Sequence, residues 1–528
     1  MSDSKEQECV PGLENRSADH SLEIEGEPNR SGLEEDKIHH ALGGPLGDCL
    51  VRTMKSLFLE TDPMEARGLW IEQLARGVIF MSYMFLGPAI LESAKAAGGC
   101  TETDEDDSHC RVYGIRPSSL LSTIATIGGV VSVIIMPVVG AMIDHTPHRW
   151  KVGILSAVIL VLGKGLETLI SQSTWLWVAL IQIITGICFT IHQLSALPYV
   201  SELSKDPSEQ TRYNVSISIA FFSGCLILSV GTLIIAAITN AGDILTARVS
   251  QVITTSISAL FFSYAWMYLI PHKPAYSQVP AGTSLLQCGF QKIFHTCNRL
   301  RFELKGLKWF YLSIAFNNAG SSGIATISTT FMSHYLDMSG SEIGLVFLIS
   351  LFTSLPGTKI AQFVTKKTDP LKSNILSWFF FIVISFTAAL TFRGPEHKNY
   401  MYIIGAFWGI LYGWVSVMHD AIIMSIVPRN QESEMMGLYI FCLNVFAWMP
   451  PLLFTILNEL GAHITIGFAS INLFFTCGIC CVLMMGKFED VLESVNPSNQ
   501  SGDATQQHQN FQNEPTNKID QEDLPSIT

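Results

Sequence analysis

The sequence predicts an all-α membrane protein with twelve transmembrane helices in two six-helix bundles. Twelve apolar stretches fill the chain from Leu69 to Met485, each near the roughly 20 residues that cross about 30 Å of hydrocarbon as a helix. A basic hydrophilic stretch from His272 to Leu307 divides them six and six. Charge follows the same division: residues 1–68 carry 7 Lys and Arg against 15 Asp and Glu, and residues 487–528 carry 2 against 8. The ends therefore carry −8 and −6, and the apolar body holds +1 of the net −13.

The expected spans are Leu69–Leu91, Ser118–Ile143, Val152–Ile170, Trp175–Val200, Val215–Ile238 and Val249–Ile270 in the first bundle (69–270). After a basic linker (271–307) come Lys308–Met332, Ile343–Val364, Leu371–Phe392, Tyr400–Val427, Met435–Leu457 and Ile464–Met485 in the second (308–486). The ends, 1–68 and 487–528, are rich in Ser, Gln, Asn and Glu and poor in aromatics, a composition that reads as disordered acidic tails. With both termini cytoplasmic, the inner loops hold about fifteen Lys and Arg and the outer loops about six, as the positive-inside rule requires. No charged n-region with an apolar core and cleavage site opens the sequence, so membrane insertion is expected to use the first span. The N-x-S/T sequons at Asn15, Asn29, Asn214 and Asn499 all fall on the cytoplasmic side of this topology.

Twelve cysteines in 528 residues do not make a disulfide scaffold. Cys477, Cys480 and Cys481 lie inside the last span and read as packing residues. Cys100 and Cys110 bracket the acidic stretch T-E-T-D-E-D-D-S-H in the first outer loop, where an oxidising compartment would allow a disulfide.

The two bundles look like distant copies. Span four ends in A-L-P-Y-V-S-E-L-S-K-D-P-S-E-Q-T-R-Y-N from Ala196, and span ten in I-I-M-S-I-V-P-R-N-Q-E-S-E-M-M-G-L-Y from Ile422. Each has an apolar helix end, a proline, a polar turn and a new helix, the mark of a duplicated half with a solute site between the copies.

Between spans two and three, G-A-M-I-D-H-T-P-H-R-W-K runs from Gly140 to Lys151. It resembles the G-x-x-x-D-R/K-x-G-R/K-R/K loop of the major facilitator superfamily, departing from it at His145 and Pro147. In this reading Gly140 permits close helix approach, Asp144 offers a carboxylate to a neighbouring helix end or cation, and Arg149 with Lys151 holds the cytoplasmic side. The second-half loop from Gly357 to Lys367 keeps basic residues without the Asp, so gating is expected to centre on Asp144.

A narrower resemblance is to the vacuole effluxer branch, the autophagy-related amino-acid exporters. It rests on A-L-P in span four with G-C-L-I-L-S-V-G from Gly224, on F-N-N-A-G from Phe316 to Gly320, on V-P-R-N-Q-E-S-E-M-M-G-L-Y from Val427 to Tyr439, and on P-P-L-L-F from Pro450. These segments cover most of the membrane body and none of the tails. This chain has His419 and Asp420 where those relatives carry a basic residue. The resemblance implies a facilitator fold in which spans one, four, seven and ten line a central cavity.

An ionised side chain in hydrocarbon costs at least about 2.5 kcal/mol on insertion scales, so those retained there are candidates for pairing, ion binding or solute contact. The candidates for substrate or proton binding are Glu72 and Arg76 in span one, His192 and Gln193 in span four, Asn317 and Asn318 in span seven, and His419 and Asp420 in span ten. Arg76, His192, Asn317 and Asp420 are expected to form one polar ring, with an Arg76–Asp420 ion pair joining the bundles. A zwitterionic solute would break that pair with its own charges. Glu72 and Arg76 could instead pair as i,i+4 neighbours. His419 or Asp420 would be where a coupling proton binds. Lys164 and Glu167, three apart in span three, are expected to satisfy each other.

No nucleotide-binding loop, zincin motif or nucleophile context appears, which excludes ATP-driven pumping and hydrolytic catalysis. No metal, cofactor or nucleic acid is implied. The expected partners are a small-molecule substrate, an amino acid in the narrower resemblance, a proton as possible coupling ion, and the lipid bilayer, with the vacuolar membrane as location. A plasma-membrane carrier of another solute and a non-transporting receptor or scaffold are the alternatives.

Overall fold

The computed structural model describes residues 62–100, 110–204, 207–273, 284–302, 305–426 and 432–495. Among these, the first half comprises α1 (Met64–Gly98), α2 (Pro117–His145), α3 (Arg149–Glu167), α4 (Trp175–Ser201), α5 (Pro207–Thr239) and α6 (Asp243–Tyr264), which runs into a π-helical turn at Ala265–Leu269. A further helix, α7 (Leu285–Phe302), precedes the second half. That half comprises α8 (Lys305–Thr330), α9 (Gly340–Lys367), α10 (Pro370–Thr391), α11 (Tyr400–Ile426), α12 (Glu432–Val445), α13 (Met449–Glu459), α14 (Ile464–Ala469) and α15 (Ile471–Met485), followed by the short α16 (Phe488–Val495).

Helix ends follow local chemistry. Proline occupies the first turn of α2 and α10, where its missing N–H has no helical partner to lose. Ser339 and Glu342 form a reciprocal capping box on α9, and the Asp369 carboxylate accepts from Lys372 N at the start of α10. α1 stops at Gly99, whose φ of 67° lets its N–H turn back to the Ala96 and Lys95 carbonyls. The eleventh span, expected as one rod, breaks between α12 and α13. Pro450 and Pro451 bring no N–H to the Phe446 and Ala447 carbonyls, and the helix restarts one turn later.

Ten of the described helices are long and apolar enough to cross a membrane. α3 and α8, counted from the sequence among twelve apolar spans, are not among the ten. α3 contains Lys164 and Glu167, and α8 contains Asn317, all turned fully into the protein. These three side chains are therefore not presented to the bilayer. Three further departures concern the ends and linker. α1 starts at Met64, ahead of the expected Leu69. The linker forms a helix over Leu285–Phe302. Residues 488–495, placed in a disordered tail, are helical, with Val491 buried against Gly306. Residues 1–61 and 496–528, the greater part of both expected tails, lie outside the described residues.

Small residues bring the long helices together. A Cβ on Gly409 or Gly413 of α11 would lie about 2 Å from the Ser350 or Ser354 carbonyl of α9. Gly77 and Gly224 make the equivalent backbone approach between α1 and α5. Each half then closes on an aromatic core, around Trp266, Tyr199 and Phe85 in the first and Trp378, Phe381 and Phe475 in the second. Leu155, Leu162, Trp177, Leu355 and Leu483 are more than half exposed, as lipid-facing positions are.

Candidate functional site

α1 sets Glu72 and Arg76 one turn apart on the same face, with Arg76 Nε 3.8 Å from Glu72 Oε1. α4 brings His192 Nδ1 to 3.1 Å from the same carboxylate oxygen, in a bent contact rather than a straight hydrogen bond. From the π-turn after α6, Trp266 donates its indole N–H to His192 Nε2 at 3.1 Å. An indole N–H can only donate, so Nε2 is the acceptor and the ring proton of the neutral imidazole sits on Nδ1, facing Glu72. Glu72 and His192 are wholly buried, and Arg76 is 4% exposed.

Arg76 also lies over the Phe189 ring, its Cζ 4.8 Å from the centroid. Phe80 and Tyr83 of α1 and Phe221 of α5 continue this patch, with neighbouring centroids 5.5–6.4 Å apart. No hydrogen bond from the described residues reaches the Arg76 guanidinium. It is therefore a nearly buried cation with a carboxylate on one side, an aromatic face on the other, and donors to spare.

The expected polar ring divides. Glu72, Arg76 and His192 gather in the first half, with Gln193 half-buried next along α4. Asn317 points elsewhere: its amide donates to Ser313 Oγ at 3.0 Å, and its Oδ1 fills the space that a side chain at Gly478 of α15 would need. Asn318 donates to the Leu443 carbonyl at the end of α12. His419 lies in the second-half aromatic core, 5.7 Å from the Trp378 ring. The Asp420 side chain, and with it the expected Arg76–Asp420 pair, lies outside the described residues. Helix rotation separates these groups: Asn317 and Asn318 are adjacent in sequence, so about 100° of turn sends them to different neighbours.

The face that gathers the starts of α1, α3 and α5 with the ends of α4 and α6 is here the terminal face; the opposite face is the distal one. At the terminal face Arg149 is buried and grips Glu202 through two hydrogen bonds of 2.8 and 3.0 Å. Its Cζ lies 4.0 Å above the Tyr199 ring. Lys273, after α6, joins Glu202 at 2.9 Å and also Glu65. Burial alone would push the Glu202 carboxyl up, but the bonds from Arg149 and Lys273 outweigh it and hold it below the usual carboxylate range. The network ties the starts of α1 and α3 to the ends of α4 and α6. Glu202 had a visible signal in P-Y-V-S-E, but its partner stands 53 residues away.

Gly140 requires correction: a Cβ there would meet nothing within 4 Å, so it serves no close helix approach. That approach belongs to Gly289 of α7, which abuts the Pro137 carbonyl of α2. Asp144 is half-buried near the end of α2. Lys164 does pair with Glu167, at 2.8 Å; Thr185 donates to the other carboxylate oxygen, and the ammonium lies 3.5 Å from the Tyr83 centroid. Cys100 and Cys110 are brought together with 5.5 Å between their Cα atoms, a separation a disulfide spans. Among the described residues no group of three His, Cys, Asp or Glu could hold a metal ion.

At the distal face the halves touch directly. Glu459 accepts from Arg111 at 3.2 Å and from Arg116 N at 2.9 Å, and the Ser122 and Thr455 hydroxyls are 2.7 Å apart. Asp243 accepts from Gly340 N at 2.7 Å, and Lys95 meets His334 at 2.7 Å. The terminal-face pairs Asp62–Arg212, Arg149–Glu202 and Lys273–Glu65 instead stay within the first half.

The sequence profile described as Major Facilitator Superfamily matches residues 74–451. Among curated proteins, Autophagy-related protein 22 of Vanderwaltozyma polyspora is 25% identical over 138 residues, covering 25% of this chain and 26% of that protein. The match thus spans about a quarter of that relative's length. A crystal structure of a D-xylose-proton symporter aligns at 16% identity over 81% of this chain and 98% of its own, with a TM-score of 0.58. The inward open conformation of the xylose transporter XylE from E. coli gives 14%, 82%, 99% and 0.56. The nucleoside transporter NupG gives 11%, 80%, 99% and 0.51.

Proposed function

The chain belongs to the Major Facilitator Superfamily, and on that premise we propose that it is a secondary carrier that moves amino acids or similar small zwitterionic solutes by alternating access. The observation that carries the reading is Arg76. A guanidinium held in the membrane body without a hydrogen bond from the described residues is suited to a carboxylate, which it can grip with two parallel bonds. Glu72 keeps the site near neutral when empty, and His192 holds Glu72 in place. The patch of Phe80, Tyr83, Phe189 and Phe221 would face the solute's carbon skeleton.

The excess of basic residues in terminal-face loops supports a cytoplasmic terminal face. The direct contacts between halves at the distal face support a site that opens toward the cytoplasm in this conformation. The resemblance to the vacuole effluxer branch, together with similarity to part of Autophagy-related protein 22, favours a vacuolar membrane, and that resemblance is the ground for export into the cytosol. Likeness to a proton symporter supports a proton as coupling ion, with His419 or Asp420 as its place. An oxidising distal compartment would close a Cys100–Cys110 disulfide.

Uptake and efflux of a labelled amino-acid panel by reconstituted vesicles, with and without an imposed pH gradient, tests this. Saturable flux of zwitterions that is weakened by Arg76→Gln supports it. Flux of uncharged solutes alone points to another small-solute carrier, and no flux from folded protein points to a receptor or scaffold; either overturns it.

A further inference from the structure

The linker helix α7 has three distinct sides. One is turned to the protein: Gly289 against the Pro137 carbonyl of α2, and Leu300 in the cluster with Leu307, Phe310 and Ile422 of the second half. The helix therefore bridges the two halves. On a second side Phe290, Phe294 and Cys297 stand exposed at i, i+4 and i+7, with Arg301 one turn further. Phe294 is 74% exposed and Phe290 45%. A third side, rotated past the stripe, shows Gln287, His295 and Asn298, all exposed.

Water does not explain the second side, because a stripe with two phenylalanines would be left bare in it. Depth argues for lipid. Pro137 lies eight residues before the end of α2 at His145, so α7 crosses it about 12 Å inside that end. There the surroundings are the leaflet of the terminal face, whose acyl boundary accepts an apolar stripe while a polar flank stays hydrated. Arg301, at the stripe's end beside Phe302, can reach headgroup phosphates.

We infer that α7 is a bilayer-surface helix, with Phe290, Phe294 and Cys297 seated at the acyl boundary and Arg301 among phospholipid headgroups, fastened to both halves on its inner side. This follows from the fold and is independent of which solute is carried. When the halves rock, a helix seated on both must slide or tilt in the leaflet, so lipid composition acts on the cycle through it.

The full-length chain carrying p-benzoylphenylalanine in place of Phe294, reconstituted in phosphatidylcholine–phosphatidylserine vesicles, tests this by irradiation and mass analysis of the labelled peptide. The same photo-group at Leu162, a 63% exposed position of α3, is the lipid control, and at Asn298 the polar-flank control. The expected result is a phospholipid adduct at 294 comparable to that at 162 and at least about tenfold above that at 298. Cross-linking of 294 to a tail, to the rest of the linker or to a second copy, or no lipid adduct while 162 labels normally, overturns it.

Discussion

Trp266 donates its indole N–H to His192 Nε2 at 3.1 Å, and this one bond settles which nitrogen of the neutral histidine carries the proton toward Glu72. The three groups come from the π-turn after α6, from α4 and from α1, so the charge beside Arg76 is oriented by residues that sequence separates by 74 and 120 positions.

Trp266→Phe removes the donor and also part of the ring that packs against Gly153, so a cavity cost adds to the lost bond. The loss of this buried bond should cost about 1–3 kcal/mol, read as a lower unfolding temperature in detergent. In a cycle with His192→Gln the two losses should be coupled by about 1 kcal/mol. Simple additivity would mean that the bond contributes nothing of its own.

Arg76→Gln should abolish discrimination between an amino acid and its carboxamide. A charge-assisted hydrogen bond contributes about 1.5–3 kcal/mol, so the wild-type preference for the acid should be roughly 10- to 100-fold. Arg76→Lys, which keeps the charge but not the planar fork, should retain part of it. Competition against a labelled solute in vesicles measures all three, and equal inhibition by acid and amide in the wild type would refute the assignment.

Arg149→Ala should destabilise the first half by about 1–3 kcal/mol, since it removes two charged hydrogen bonds and leaves Glu202, part-buried beside Tyr199, with Lys273 as its remaining cation. The exchange Arg149→Glu with Glu202→Arg should recover part of that loss. The pH dependence follows from the direction of the Glu202 shift. Because the folded carboxyl is held below its ordinary value of 4.5, its contribution is complete above that value and is lost as pH falls through the lower, folded one. Unfolding curves of wild type and Glu202→Gln should stay a constant interval apart from neutral pH down to about 5 and converge below.

Ser122→Cys with Thr455→Cys replaces two distal-face hydroxyls that stand 2.7 Å apart across the halves. An oxidant should join them and stop transport, and a reductant should restore it. Undiminished flux after complete cross-linking would mean that the distal face need not open.

The sequence by itself determined much of the architecture, because partition into hydrocarbon sums residue by residue and needs no knowledge of neighbours. The all-helical membrane body was legible this way, and helix periodicity gave the i,i+4 relation of Glu72 to Arg76. So was the pairing of Lys164 with Glu167, which lie on one turn of one helix. The break before Pro450 could have been read from two consecutive prolines.

Only the tertiary structure decided which distant groups meet. Asn317 and Asn318 were indistinguishable as candidates, yet one packs on Gly478 and the other donates to Leu443. Gly140 was chosen for a motif while Gly289 makes the contact. Glu202 lay in a quoted segment, but its value as the clamp of Arg149 and Lys273 appears only when four helix ends converge. The physical reason is that the direction a side chain faces depends on its helix's rotation and on the surfaces packed against it, and hydropathy along the chain encodes neither.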